Sequence, residues 1–193
     1  MLKIIAGKYR GKRIEIKENA KIRPTGSKAR GAIFNILMHG QFGASGHSPL
    51  IGKPVLDLFC GTGALGLEAL SRGASHVTFV DESQASLSLA RTNVQHLGEE
   101  ENARFVRSDS SSLPKSYKTH SLAFLDPPYN SGLAPKSLKS LHMQGWLEPD
   151  AVIVAELAHK ETLEPPEHFT VFDERHYGNT KIVFLRYTAQ PSA

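Results

Sequence analysis

A single cysteine, Cys60, among 193 residues excludes an intramolecular disulfide. No pair or quartet of Cys and His has zinc-ligand spacing, so neither a disulfide scaffold nor a zinc finger accounts for folding. The chain needs neither, because its length allows a sizeable apolar core without staples. Long apolar runs are also missing. Nothing approaches the roughly 18 consecutive apolar residues of a membrane span, and MLKIIAGKYRGKR lacks the apolar core of a secretory signal. A cytoplasmic protein with no membrane partner is expected. The nine histidines include no i, i+4 pair beside a glutamate, so no metal is expected. Repeats and low-complexity tracts are absent as well.

Charge is unevenly spread. Residues 1–30 hold ten Lys or Arg against Glu15 and Glu18, a balance of +8, whereas the other 163 residues sum to −4. The basic block is either a polyanion-binding extension or a solvated hairpin. Alternating Leu2, Ile4, Ile14 and Ile16 around Gly7 and Gly11 predict a hairpin there. Near-helical spacing of Ala29, Ile33, Phe34, Ile36 and Leu37 predicts a helix over 27–39, N-capped by Ser27 or Thr25. The Gly/Ser/His-rich stretch 40–53 reads as a loop and boundary, separating an extension over 1–40 from a domain over 54–193.

From Pro54 onward, apolar runs at 55–58, 76–80, 103–107, 121–125 and 151–155 alternate with helical patterns at 64–72, 83–97 and 133–143. That alternation predicts an α/β fold with a mostly parallel sheet and helices on both faces. The last two strands, 169–172 and 181–187, flank a Gly-Asn turn and should pair as a hairpin.

Chemistry concentrates at strand ends. Asp57-Leu-Phe-Cys-Gly61-Thr-Gly63-Ala-Leu-Gly66 places a literal G-x-G-x-x-G between a strand and a helix. Glycines there let backbone approach a ligand, and the helix start offers unpaired N–H groups. A dinucleotide dehydrogenase uses such a loop for pyrophosphate, but Asp57 beside it suits an ammonium or sulfonium better. Asp81 ends the next strand, where a carboxylate can accept the hydroxyls of a ribose, and Asp109 follows the third. Each acid alone reads equally well as a helix N-cap; three in succession point to the ligand-binding edge of an open α/β sheet.

The fourth strand ends in Asp126-Pro127-Pro128-Tyr129. Two prolines fix φ and remove two N–H donors, leaving outward-facing carbonyl acceptors on a rigid bend. An exocyclic nucleobase amine is a poor nucleophile, its lone pair being delocalised into the ring. Accepting its protons on Asp126 and the Pro127 carbonyl favours a pyramidal nitrogen, while Tyr129 can stack on the base.

These segments resemble Rossmann-like methyltransferases that use S-adenosylmethionine. The resemblance implies a seven-stranded sheet whose last strand enters antiparallel, a cofactor site at Asp57, Phe59, Gly61, Gly63, Asp81, Glu82, Ser108, Asp109 and Asp126, and a catalytic Asp126-Pro127-Pro128-Tyr129. That tetrapeptide is similar to the Asn/Asp-Pro-Pro-aromatic signature of methyltransferases acting on exocyclic amines. The block from Ile4 to Arg13, Arg23-Pro-Thr25, the segments from Arg30 to Leu37 and from Gly66 to Ala74, and Tyr177-Gly-Asn-Thr180 further resemble the RsmD family of bacterial 16S rRNA guanine-N2 methyltransferases, of the position-966 type. The resemblance spans nearly the whole chain. It implies a monomer acting on 16S rRNA, naked or in the small ribosomal subunit, with Lys8, Arg10, Lys12, Arg13, Arg23, Thr25, Lys28 and Arg30 on the RNA.

The chain departs from the family pattern at Gly31, where Glu is usual, at Ala29, an aliphatic position, and at Asp81, often Glu. Cys60 also replaces a small residue and reads as buried and inert. Trp146 and the Leu133, Leu138 and Leu141 stripe read as packing, and Glu99-Glu-Glu101 as a solvated loop. The competing expectations are an N6-adenine methyltransferase, a catalytically silent RNA-binding assembly factor and a nicotinamide dehydrogenase.

Overall fold

The computed structural model describes residues 2–16, 26–40 and 48–189. Two short strands, β1 (Leu2–Lys3) and β2 (Arg13–Ile14), pair antiparallel and lead to α1 (Ser27–His39). Then follow β3 (Pro54–Leu58), α2 (Ala64–Ser71), β4 (His76–Asp81), α3 (Gln84–Leu97), β5 (Ala103–Arg107), β6 (His120–Leu125), α4 (Leu133–Met143), β7 (Leu147–Ala158), β8 (Phe169–Tyr177) and β9 (Thr180–Tyr187). Among the described residues the strands from β3 onward form one seven-stranded sheet in the order β5-β4-β3-β6-β7-β9-β8. Pairings from β5 to β7 are parallel; β9 enters antiparallel beside β7 and pairs with β8.

The expected architecture is therefore present. The chain runs outward from β3 to β5, then returns to place β6 on the other side of β3. This reversal opens a crevice at the carboxyl ends of β3 and β6, where open α/β sheets hold ligands. Two apolar layers cover the sheet. One joins Phe34, Leu37, Leu67, Leu70, Phe79 and Phe124 with Leu2, Ile4 and Ile14 of the hairpin. The other joins Leu138, Leu141, Trp146, Ile153 and Leu185 under α4. Trp146 is 1% exposed and stacks on buried His120, so it is a packing residue as its sequence context implied. None of the described helices is long and apolar enough to cross a membrane.

Several local expectations need correction. The cap of α1 is Gly26, with no side-chain hydrogen bond; Ser27 is already helical, and Thr25 lies outside the described residues. Within the 40–53 loop only 40 and 48–53 are described, and Leu50 there is fully buried. β8 runs to Tyr177 rather than 172 because an edge strand keeps pairing through polar, outward-facing residues. Glu99 is not solvated: it is 2% exposed and accepts the Tyr9 hydroxyl at 2.5 Å and Asn102 Nδ2 at 2.7 Å.

The hairpin is attached largely through its backbone. Glu68 on α2 accepts the N–H groups of Ile5 and Ala6 at 2.8 and 3.0 Å. Ser71 donates to the Ala6 carbonyl and accepts the Tyr9 N–H, while its own carbonyl accepts the Lys8 N–H. Asn93 on α3 exchanges two hydrogen bonds with the Glu15 main chain and donates to the Thr62 carbonyl in the glycine loop. At Gly7, φ is +82° and a Cβ would stand 1.9 Å from the Ser71 carbonyl oxygen, so only glycine fits.

Gly31 is different. It lies inside α1, and a Cβ there would meet nothing nearer than Ile5 Cδ1 at 4.0 Å. Gly31→Ala is expected to stabilise the protein by about 0.5–1 kcal/mol, through lost backbone freedom in the unfolded chain. Calorimetry showing a lower melting temperature would mean that the helix depends on that glycine.

Candidate active site

A cavity of about 640 Å³ occupies the crevice between β3 and β6. Asp57, Phe59, Gly61, Asp81, Glu82, Ser108, Asp109 and the whole Asp126–Tyr129 segment line it, so every catalytic and cofactor residue expected from sequence except Gly63 converges there. Gly63 does not line the cavity. It caps α2 at φ +80°, and a Cβ on it would crowd Ala90 and Phe79 at 3.2 Å. Gly66 has a related packing role, since a Cβ would lie 2.3 Å from Phe79 Cε1. These glycines serve the approach of α2 to its neighbours.

Asp57 comes from inside β3 and is 1% exposed. Its Oδ2 accepts the Gly66 N–H at 2.8 Å, which satisfies one orphan donor of the first turn of α2. Burial lifts its carboxyl to about 8; the Gly66 bond opposes that rise and the Asp81 charge adds to it. Asp81 holds the loop directly: Oδ2 accepts the Gly61 N–H at 3.0 Å and Oδ1 the Ser83 N–H at 2.8 Å. A carboxylate has about four acceptor directions, so both oxygens keep capacity for a ligand. Beside them Phe59 is held at φ +67°, an uncommon conformation for a non-glycine residue. Asp109 is exposed and accepts both the N–H and hydroxyl of Ser111 at 2.8 Å, which hold its carboxyl below the usual range. Cys60 is buried, and that burial keeps its thiol protonated.

Asp126 follows β6, and its N–H reaches the Leu58 carbonyl at 3.4 Å. Burial pushes its carboxyl well above the ordinary range, and the nearby charges of Glu156 and Asp57 push further. The Pro128 carbonyl accepts the Ser131 N–H at 3.3 Å and closes a turn, so one of the carbonyl acceptors expected on this bend is already engaged. Tyr129 is half-buried, with its hydroxyl 3.0 Å from Glu156 Oε1 and 2.9 Å from Thr180 Oγ1. Desolvation carries that hydroxyl to about 12, so it stays protonated at neutral pH.

Tyr129 is also a wall of a second cavity of about 530 Å³, lined by Lys28, Ala29, Glu156, Tyr177 and Thr180 among others. Sequence inspection overlooked Glu156. The available signal was a lone acid inside the apolar run Ala-Val-Ile-Val-Ala-Glu-Leu-Ala, since an acid buried without function is costly.

The basic extension divides. Arg10, Lys12, Arg13 and Lys28 are exposed; Lys8 is exposed but ion-paired with Glu99. Arg30 is 1% exposed, donates to the Lys3 carbonyl at 2.6 Å and faces Glu68 at 3.8 Å. Its expected place on a phosphate is corrected: the docked hairpin covers it. Arg23 and Thr25 lie outside the described residues. No cluster of three or more metal-ligating side chains occurs among the described residues.

A family model described as "Conserved hypothetical protein 95", the RsmD family, matches residues 2–186. The chain belongs to this family. One RsmD relative, Ribosomal RNA small subunit methyltransferase D of Haemophilus influenzae, is 32% identical over 182 residues, covering 92% of this chain and 89% of that protein. The Escherichia coli protein of the same name is 33% identical over 156 residues, covering 80% and 74%. The solved structure of Escherichia coli yhhF superposes with a TM-score of 0.82 at 30% identity, over 98% of this chain and 99% of that one. The RsmD fold seen here is that of the Rossmann-like methyltransferases, with the hairpin as its N-terminal addition.

Proposed function

We propose that this chain transfers a methyl group from S-adenosylmethionine to the exocyclic N2 amine of one guanine in 16S rRNA, the position-966 type, in the assembled small subunit. It would do so as a cytoplasmic monomer, with residues 54–193 as the catalytic domain and 1–40 as the RNA-binding extension. The observation that carries this is Tyr129 as a wall of both cavities, beside Asp126 in the larger one, which the glycine loop and strand-end acids also line. The names of the RsmD relatives supply the substrate class.

The residues present fit the cofactor. The larger cavity lies within the usual range for small-molecule sites. At Gly61 the nearest atom to an added Cβ is 4.0 Å away, so the loop leaves room where backbone meets ligand. Asp57 offers a buried carboxyl to a cationic centre, Asp81 to ribose hydroxyls, and Asp109 to an adenine amine. When bound, S-adenosylmethionine supplies an electrophilic methyl on a positive sulfur. Asp126 and the Pro127 carbonyl then hold the amine protons, directing the nitrogen lone pair, while the Tyr129 ring supports the base. Rate enhancement comes mainly from alignment and charge placement.

The deciding experiment is transfer of labelled methyl to unmodified 30S subunits, naked 16S RNA and duplex DNA, followed by nucleoside chromatography. N2-methylguanosine from the ribosomal substrate is expected; N6-methyladenosine, or cofactor binding without transfer, overturns the proposal. The exposed cations of the extension give a second test. Changing Arg10, Lys12 and Arg13 together to Gln should weaken RNA binding and flatten the slope of log K against log salt by about 2–3. An unaltered slope removes this face from the RNA site.

A further inference from the structure

Resting on the guanine assignment above, we infer that Glu156 selects the base by accepting the guanine N1–H, beside the N2 amine held by Asp126. The β6–β7 register pairs Leu125 with Ala155. One residue further, it brings Asp126 and Glu156 side by side at the carboxyl edge of the sheet, where the charge of Glu156 acts on Asp126. The two acids border different cavities, Asp126 the larger and Glu156 the smaller, with Tyr129 common to both. A base on the Tyr129 ring thus presents its edge to two neighbouring carboxyl groups.

Guanine matches that pair. Its Watson–Crick edge carries N1–H and the N2 amine as adjacent donors. Adenine places an unprotonated N1 beside its amine and would set a lone pair against the Glu156 carboxylate, an unpaired arrangement that a buried site penalises strongly. Holding Tyr129 does not require this acid, because Thr180 already meets the same hydroxyl at 2.9 Å. Glu156 is 5% exposed and accepts the Tyr129 hydroxyl on Oε1 at 3.0 Å, which sets its carboxyl beside that ring. Lys28, exposed at the rim of the smaller cavity, puts a cation where the nucleotide's phosphate can be met.

A mutant and base-analogue cycle tests this. Methyl transfer is compared for wild type, Glu156→Gln and Tyr129→Phe on 30S subunits reconstituted with guanine or 1-deazaguanine at the target, an analogue that keeps the N2 amine and lacks N1–H. On guanine, E156Q is expected to lose about 30- to 100-fold in kcat/KM. Wild type should lose a similar factor on the analogue, and E156Q little more. Y129F should lose less than E156Q on guanine and still discriminate against the analogue. Multiplying losses in E156Q, or a Y129F defect equal to that of E156Q with no discrimination, overturns the inference and reduces Glu156 to a tether for Tyr129. Unchanged S-adenosylmethionine affinity and melting temperature in E156Q separate recognition from misfolding; if E156Q is unstable, the wild-type and Y129F arms on the two bases still decide. Wild-type product identity stands apart: N6-methyladenosine would overturn the functional proposal, whereas N2-methylguanosine without the expected coupling overturns only the role of Glu156.

Discussion

Asp126→Ala is expected to lower methyl transfer by about 10³-fold or more while leaving S-adenosylmethionine binding largely intact. The size follows from what the side chain does. In the proposed function it meets the target amine where positive charge develops on nitrogen, inside a cavity in which charge is weakly screened. Stability should hold or rise, because the variant no longer buries a carboxyl group whose ionisation is opposed by burial first and by the charges of Glu156 and Asp57 second. The pH profile offers a second check. Burial and neighbouring charge raise the Asp126 carboxyl, and the form that best accepts the amine protons is ionised. Activity in the wild type should therefore fall with acidification at a pH well above that of an ordinary carboxylate, and this limb should vanish from the residual rate of the alanine variant. Unchanged turnover in the variant would remove Asp126 from the chemistry.

The second large effect concerns Asp57. With its carboxyl raised to about 8, most of the ligand-free protein carries a proton there at pH 7. A cation beside it favours the ionised form, so cofactor binding at pH 7 should release close to one proton. Calorimetry in two buffers of different ionisation enthalpy measures that directly. Affinity should rise by about tenfold per pH unit toward 8 and level off beyond it. The same shift affects folding with the opposite sense. Between the unfolded value near 3.8 and the folded value near 8, the native state holds the proton and the unfolded chain does not. The unfolded state binds fewer protons, so this group lowers stability as pH rises through that window. Asp57→Asn should remove both the proton release and the pH dependence of affinity, and weaken binding by about 10- to 100-fold through loss of the charge. Binding with no proton release in the wild type would contradict a cation at Asp57.

Strands and helices were legible because alternation and helical spacing are local properties; α4 spans 133–143 in both sequence pattern and structure. The strand-end acids were legible because a strand followed by a loop and a helix fixes their edge of the sheet. Glu156 was not, since its nearness to Asp126 depends on β6 and β7 being neighbours in parallel register, which no segment of sequence states. Arg30 and Glu99 misled for the converse reason. Their charges look solvated until the hairpin docks, and then Lys3 and Glu68 surround one while Tyr9 and Lys8 cover the other. Gly63 and Gly66 belong to the same motif as Gly61, yet the close packing of Phe79 and Ala90 dictates them.

The way the hairpin is fastened separates attachment from display. Glu68, Ser71 and Asn93 grip peptide groups at Ile5, Ala6, Lys8, Tyr9 and Glu15, and peptide groups are the same whatever side chains they carry. Arg10, Lys12 and Arg13 remain outside that grip. The outer face of the extension can therefore change its charge pattern, by drift or by design, without undocking, provided Gly7 keeps its place against Ser71. The surface offered to a polyanion is thus an exchangeable face on a fixed mount.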